Sequence, residues 1–132
     1  MRKYHLIAGL ALCLATTAEA QAFRAENGVR VTPAAGGFEV LGDAGWGARG
    51  RWCAAADYAQ RVLGARSADR VYVAQGRAPG LGQRTPVLFT LDPTGLQPRS
   101  VLLVGSSLTQ AGYTLSAGHA YRFCADARIS NR

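Results

Sequence analysis

Few residues in this chain have types and spacings that could do chemistry. His119 is the sole histidine after residue 20. A hydrolase would pair it with a serine nucleophile and an orienting acid. Ser106 and Ser107 are the serines to consider, but no Gly-x-Ser-x-Gly elbow is present. The carboxylates Glu26, Glu39, Asp43, Asp57, Asp69, Asp92 and Asp126 are scattered, with no helical or strand spacing that would share a metal ion. The stretch Gly76-Arg77-Ala78-Pro79-Gly80-Leu81-Gly82-Gln83 is rich in glycine. It lacks the Gly-Lys-Ser/Thr that completes a phosphate loop, and a strand follows where a helix is needed. No catalytic residue, metal ligand or cofactor is therefore expected, and the expected role is non-enzymatic. Two alternatives are a small secreted hydrolase using His119 and an inhibitor that presents the 76–86 loop to a secreted enzyme.

Binding chemistry is better represented. Arg49, Arg51, Arg77 and Arg84 lie in or beside two glycine-rich loops, with Trp46 and Trp52 nearby. Trp52 belongs to a helix core, which leaves Trp46 and the four arginines as a candidate cationic, aromatic surface. Such a surface binds sugars, anionic glycans or single-stranded polyanions through stacking and charge. The whole chain has a formal charge of +7, and its lysine, Lys3, precedes residue 20. A positive field attracts polyanions, and arginine grips carboxylate and phosphate with a fork that lysine lacks. A GC-rich genome that writes arginine for lysine would produce the same excess. The expected partner is an anionic envelope polymer or a protein, and no specific nucleic-acid motif is present.

Cysteine usage and the N-terminus point to export. Arg2 and Lys3 precede an apolar run over residues 6–15, and Ala18-Glu19-Ala20 follows as a small-x-small site. This is the order of a secretory signal cleaved after Ala20. The run is about half of what a spanning helix requires, so no membrane span is expected after processing. Cys13 lies within the run after Leu12, a poor context for lipidation, and is expected to leave with the signal. Cys53 and Cys124 then remain, and an oxidising compartment makes one disulfide between them the expectation. Two separate buried thiols are the alternative. The expected location is periplasmic or secreted.

The elements that must position these groups follow from periodicity. Residues 21–37 read as a flexible lead-in, 38–126 as one domain and 127–132 as a polar tail. A helix is expected over 51–63, with Trp52, Ala55, Ala56, Ala59, Val62 and Leu63 on one face. Asp57 and Arg61 are spaced as an i,i+4 pair on the opposite face, and Gly64 is placed to end the helix in a left-handed conformation. Strands are expected at 38–41, 70–74, 87–91, 101–104, 113–115 and 120–124, and a mobile loop at 42–50. Strands around one helix, joined by turns too short for crossovers, define an α+β domain. One helix packs on a mainly antiparallel sheet, and the disulfide ties that helix to the last strand.

The run Trp52-Cys53-Ala54-Ala55-Ala56-Asp57-Tyr58-Ala59 is the most specific part of a wider pattern. Phe38-Glu39-Val40 precedes it, and Arg61-Val62-Leu63-Gly64, Arg70-Val71-Tyr72-Val73, Val87-Leu88-Phe89-Thr90-Leu91 and Tyr121-Arg122-Phe123-Cys124 follow. This pattern, covering most of the mature chain, resembles small secreted alphaproteobacterial proteins of unassigned function. The resemblance implies export and the cysteine pair, and it implies no activity.

Overall fold

The computed structural model describes residues 22–78 and 85–130. The signal segment, with Cys13 and the cleavage site, lies outside the described residues, as do Arg84 and most of the 76–86 loop. Seven strands form one sheet: β1 Phe23–Arg24, β2 Arg30–Ala34, β3 Gly37–Leu41, β4 Arg70–Gln75, β5 Val87–Thr90, β6 Arg99–Ser100 and β7 Tyr113–Ser116. Their order is β1-β2-β3-β5-β4-β7-β6. Every neighbouring pair is antiparallel except β6 and β7. The long helix α1 spans Gly47–Arg61. The chain ends in a helical segment made of α2 Ala117–Tyr121, a 3-10 turn at Arg122–Cys124 and α3 Ala125–Ser130. This is an α+β fold with an antiparallel-dominated sheet and one disulfide.

Alternation along the strands puts Val31, Phe38, Val40, Val71, Val73, Val87, Phe89 and Leu115 into the core. The side chains of α1 meet them there. The ring of Trp52 stands edge-on to Phe89 at 5.1 Å, and Tyr58 packs on Phe38 at 4.7 Å. The helix is buried all round from Gly50 to Ala59, because the sheet covers one side and the C-terminal segment another. The alanines at 54, 55, 56 and 59 keep its surface flat enough for both approaches. Asp57, expected on the face opposite the apolar one, is buried as well, with 2 % of its surface accessible. Its carboxylate accepts the Glu26 amide at 2.7 Å and holds Arg61 through two nitrogens at 2.6 Å, so the burial is compensated. Val62 and Leu63 lie past the helix end and are half exposed. Gly64 takes a φ of 71°, and the Ala65 amide reaches back to the Ala59 carbonyl.

Four expectations are corrected. Residues 21–37 are not a flexible lead-in, since β1 and β2 belong to the sheet and Ala25, Val29 and Val31 are buried. Pro33 is tolerated within β2 because β1 pairs only with Arg30 and Val31, leaving no strand beside Pro33 on that side. Helix α1 begins inside the supposed mobile loop. A side chain at Gly50 would sit 1.9 Å from the Asp43 carbonyl oxygen, so glycine here lets the Asp43 turn lie directly on the helix. The run 101–104 is not a strand. Pairing with β7 stops at Ser100, Leu102 is 90 % exposed, and a 3-10 turn starts at Val104. Finally, residues 120–124 are helical. Alternating Tyr121 and Phe123 suggested a strand, but Ala117, Ala120, Cys124 and Ala127 are buried at helical spacing.

The disulfide Cys53–Cys124 therefore joins α1 to a helical turn, with Cα atoms 4.9 Å apart across 71 residues. Among the described residues, no helix is long and apolar enough to cross a membrane.

Candidate functional site

Ser116 ends β7 and caps α2, its hydroxyl oxygen accepting the His119 amide at 3.2 Å. The turn at 66–69 docks against this helix start. The Ala117 amide donates to the Asp69 carbonyl at 2.8 Å, and the Gly118 amide to the Ser67 carbonyl at 2.9 Å. Gly118 permits this approach, since a Cβ there would lie 3.0 Å from the Ser67 Cβ. The turn is braced by Asp69, which accepts the Arg66 amide at 2.7 Å and pairs with the Arg66 side chain. These bonds hold the Asp69 carboxyl below its ordinary range, the Arg66 amide being the largest cause.

Between the turn and the helix lies a groove of about 530 Å³, bordered by Ser67, Ala68, Ser116, Gly118, His119 and Arg122. The backbone donors of α2 are spent on Asp69, Ser67 and Ser116, so recognition here falls to side chains. The Ser67 hydroxyl, the His119 imidazole and the Arg122 guanidinium make no hydrogen bond with the described residues. No carboxylate borders the groove among the described residues. Beyond the groove the His119 ring lies 5.8 Å from that of Phe123, whose face carries the Arg49 guanidinium at 4.7 Å.

The candidate surface read from sequence is only partly assembled. Trp46 is 39 % exposed beside the start of α1. Arg49 stacks on Phe123 beside the groove, and its charge is paired by a fork onto Asp126 at 2.7 and 3.0 Å. Arg51 is not a surface charge. It is 1 % exposed, and it donates to the Thr85 carbonyl at 2.7 Å and the Val40 carbonyl at 3.3 Å. Burial lowers its pKa, Asp43 opposing and Arg77 adding to that effect. Arg77 is half-buried, its amide bonded to Leu108, and Arg84 lies outside the described residues. Sequence reasoning missed Arg122 and Ser67, because a docked turn brings together residues about fifty apart. The Ser116-x-x-His119 cap was the one local signal that a helix starts there.

Neither serine considered as a nucleophile is hydrogen-bonded to the His119 imidazole among the described residues. The Ser107 hydroxyl is buried between the Trp52 indole and the Val104 carbonyl, at 2.8 and 2.6 Å. Ser106 donates to Leu103. No carboxylate orients the imidazole, as a catalytic triad requires. No group of three metal-ligating side chains occurs among the described residues. Comparison with family models, curated proteins and solved structures finds no match for the chain.

The ion pairs predict the acid response. The Arg49 fork lowers the Asp126 pKa, and Arg128 followed by Tyr121 lowers that of Glu26. A depressed folded value means the contribution is complete above the unfolded value, about 4 for such carboxyls, and is lost as pH falls through the folded value. Urea midpoints should therefore decline below about pH 4, and Arg49→Gln should flatten part of that decline. An identical pH profile for the variant would remove Asp126 from this account.

Proposed function

We propose that the mature domain is an exported, non-enzymatic binding module that takes an anionic group of an envelope polymer in the groove at the start of α2. The observation that carries this reading is the groove's lining. Hydroxyl, imidazole and guanidinium side chains border it with no hydrogen-bond partner among the described residues, and its described lining holds no carboxylate. Uncommitted donors in a concave site bind an anion at little cost in reorganisation, and arginine suits sulfate, phosphate and carboxylate groups alike. The excess of arginine over acid elsewhere on the chain adds a long-range attraction for a polyanion. Export rests on the N-terminal signal pattern, and the buried disulfide is compatible with it.

The test is binding of heparin, as a sulfated polyanion, to the mature domain across a salt series. Affinity should fall steeply as salt rises. Arg122→Gln should weaken it roughly tenfold, the value of a charge-assisted hydrogen bond of about 1.5 kcal/mol. Arg30→Gln on the distant strand β2 removes the same charge and should cost far less. Equal losses from the two substitutions would show attraction to net charge alone and would overturn the groove as the seat.

A further inference from the structure

A second cleft differs in charge from the groove and does not depend on the reading above. It measures about 380 Å³, within the range of small-molecule sites, and is bordered by Glu26, Asp57, Gln60, Arg61 and Tyr121. Three distant parts of the chain meet here: the turn after β1, the last turns of α1, and the end of α2. The Tyr121 hydroxyl donates to Glu26 at 2.5 Å, and Arg128 donates to the other Glu26 oxygen. Arg61 forks onto Asp57 and stacks on the Phe23 ring at 4.6 Å. Arg128 lies 5.8 Å from the Tyr121 ring. Each of the two guanidinium groups thus lies between a carboxylate and an aromatic ring.

These bonds leave a definite set of groups for a ligand. The Arg61 Nη1 and the Gln60 side-chain amide have no hydrogen-bond partner among the described residues. The Glu26 carboxylate, also at the border, accepts one hydrogen bond at each oxygen and keeps a further lone pair on each. The two bordering carboxylates are balanced by Arg61 on Asp57 and by Arg128, which pairs with Glu26 from outside the lining, so a free ion meets as much repulsion as attraction. A sugar hydroxyl donates and accepts at once, so adjacent hydroxyls suit a cleft that offers donors and acceptors together. We infer that this cleft binds a neutral saccharide unit, with Gln60 and Arg61 supplying donors, Glu26 an acceptor and Tyr121 an aromatic border.

Gln60 makes the test clean, because its side chain borders the cleft without a hydrogen bond among the described residues. The isotope-labelled mature domain is titrated with neutral di- to tetrasaccharides built on glucose, mannose, galactose and N-acetylglucosamine, and resonance shifts are followed by NMR. At least one should shift Glu26, Gln60, Arg61 and Tyr121, with a dissociation constant of about 1 mM or tighter. Gln60→Ala should weaken that binding about fivefold or more, and Gln60→Trp should block it, both with unchanged melting temperature. Three results would overturn the inference: no shift in these residues up to roughly 10 mM sugar, shifts confined to other surfaces, or tighter binding here of a uronate than of its neutral counterpart.

Discussion

The Cys53→Ala/Cys124→Ala variant is expected to lose about 2–5 kcal/mol of stability. Both cysteines are fully buried, and their bond spans 71 residues. In the chain-entropy model, closing a loop of that length removes about 4 kcal/mol of freedom from the unfolded chain. The bond also fastens α1 to the turn that carries Arg122, two residues before Cys124. Loss of the cross-link should therefore weaken heparin binding even under conditions where the variant remains folded. Denaturant unfolding checks the first effect, and labelling of denatured, unreduced protein checks that both thiols are occupied. A variant with wild-type stability would mean that packing alone holds α1 to the C-terminal segment.

Trp52→Ala should be comparably damaging, at about 3–5 kcal/mol. Trp52 is the largest fully buried side chain and stands edge-on to Phe89 at the centre of the core. Its indole N–H also donates to the Ser107 hydroxyl at 2.8 Å, which ties the 104–108 segment to the helix. Trp52→Phe keeps most of the apolar contact but removes this donor, so it should cost less than the alanine variant. Native-state hydrogen exchange then locates the second effect. In Trp52→Phe, protection should fall first at the amides of Ser107 and Thr109, which bond to Val104 and Ser106. Uniform loss of protection across the sheet would contradict a local tie.

Much of the frame was legible in the residues. The periodicity of Trp52, Ala55, Ala56 and Ala59 marks the middle of α1, and Gly64 takes the left-handed conformation expected of it, although the helix already ends at Arg61. Strands at 38–41, 70–74 and 87–91 alternate clearly, and each pairs in the sheet. The unread parts share a cause, namely tertiary contact overriding local pattern. The glycine at 50 argues against a helix until the Asp43 carbonyl is seen to need the space a side chain would take. The run Val101-Leu102-Leu103-Val104 is as apolar as any strand, yet its neighbour β7 pairs only as far as Ser100. Arg51 looks like a loop charge beside Arg49, but the helix turns it inward to carbonyl acceptors at 40 and 85. The site was read in fragments: His119 was considered for hydrolysis and Arg49 for binding. Only the docking of the 66–69 turn on α2 shows that His119 borders a groove with Ser67 and Arg122.

The most direct test of the groove is to titrate the isotope-labelled mature domain with a sulfated heparin disaccharide and map the shifted resonances. A disaccharide is too short to report on scattered charge, so it isolates local recognition. Shifts should concentrate at Ser67, Ser116, Gly118, His119 and Arg122, and they should vanish in the Arg122→Gln variant. Shifts centred instead on Arg24 and Arg30, or spread evenly over every exposed arginine, would contradict the groove as the anion site.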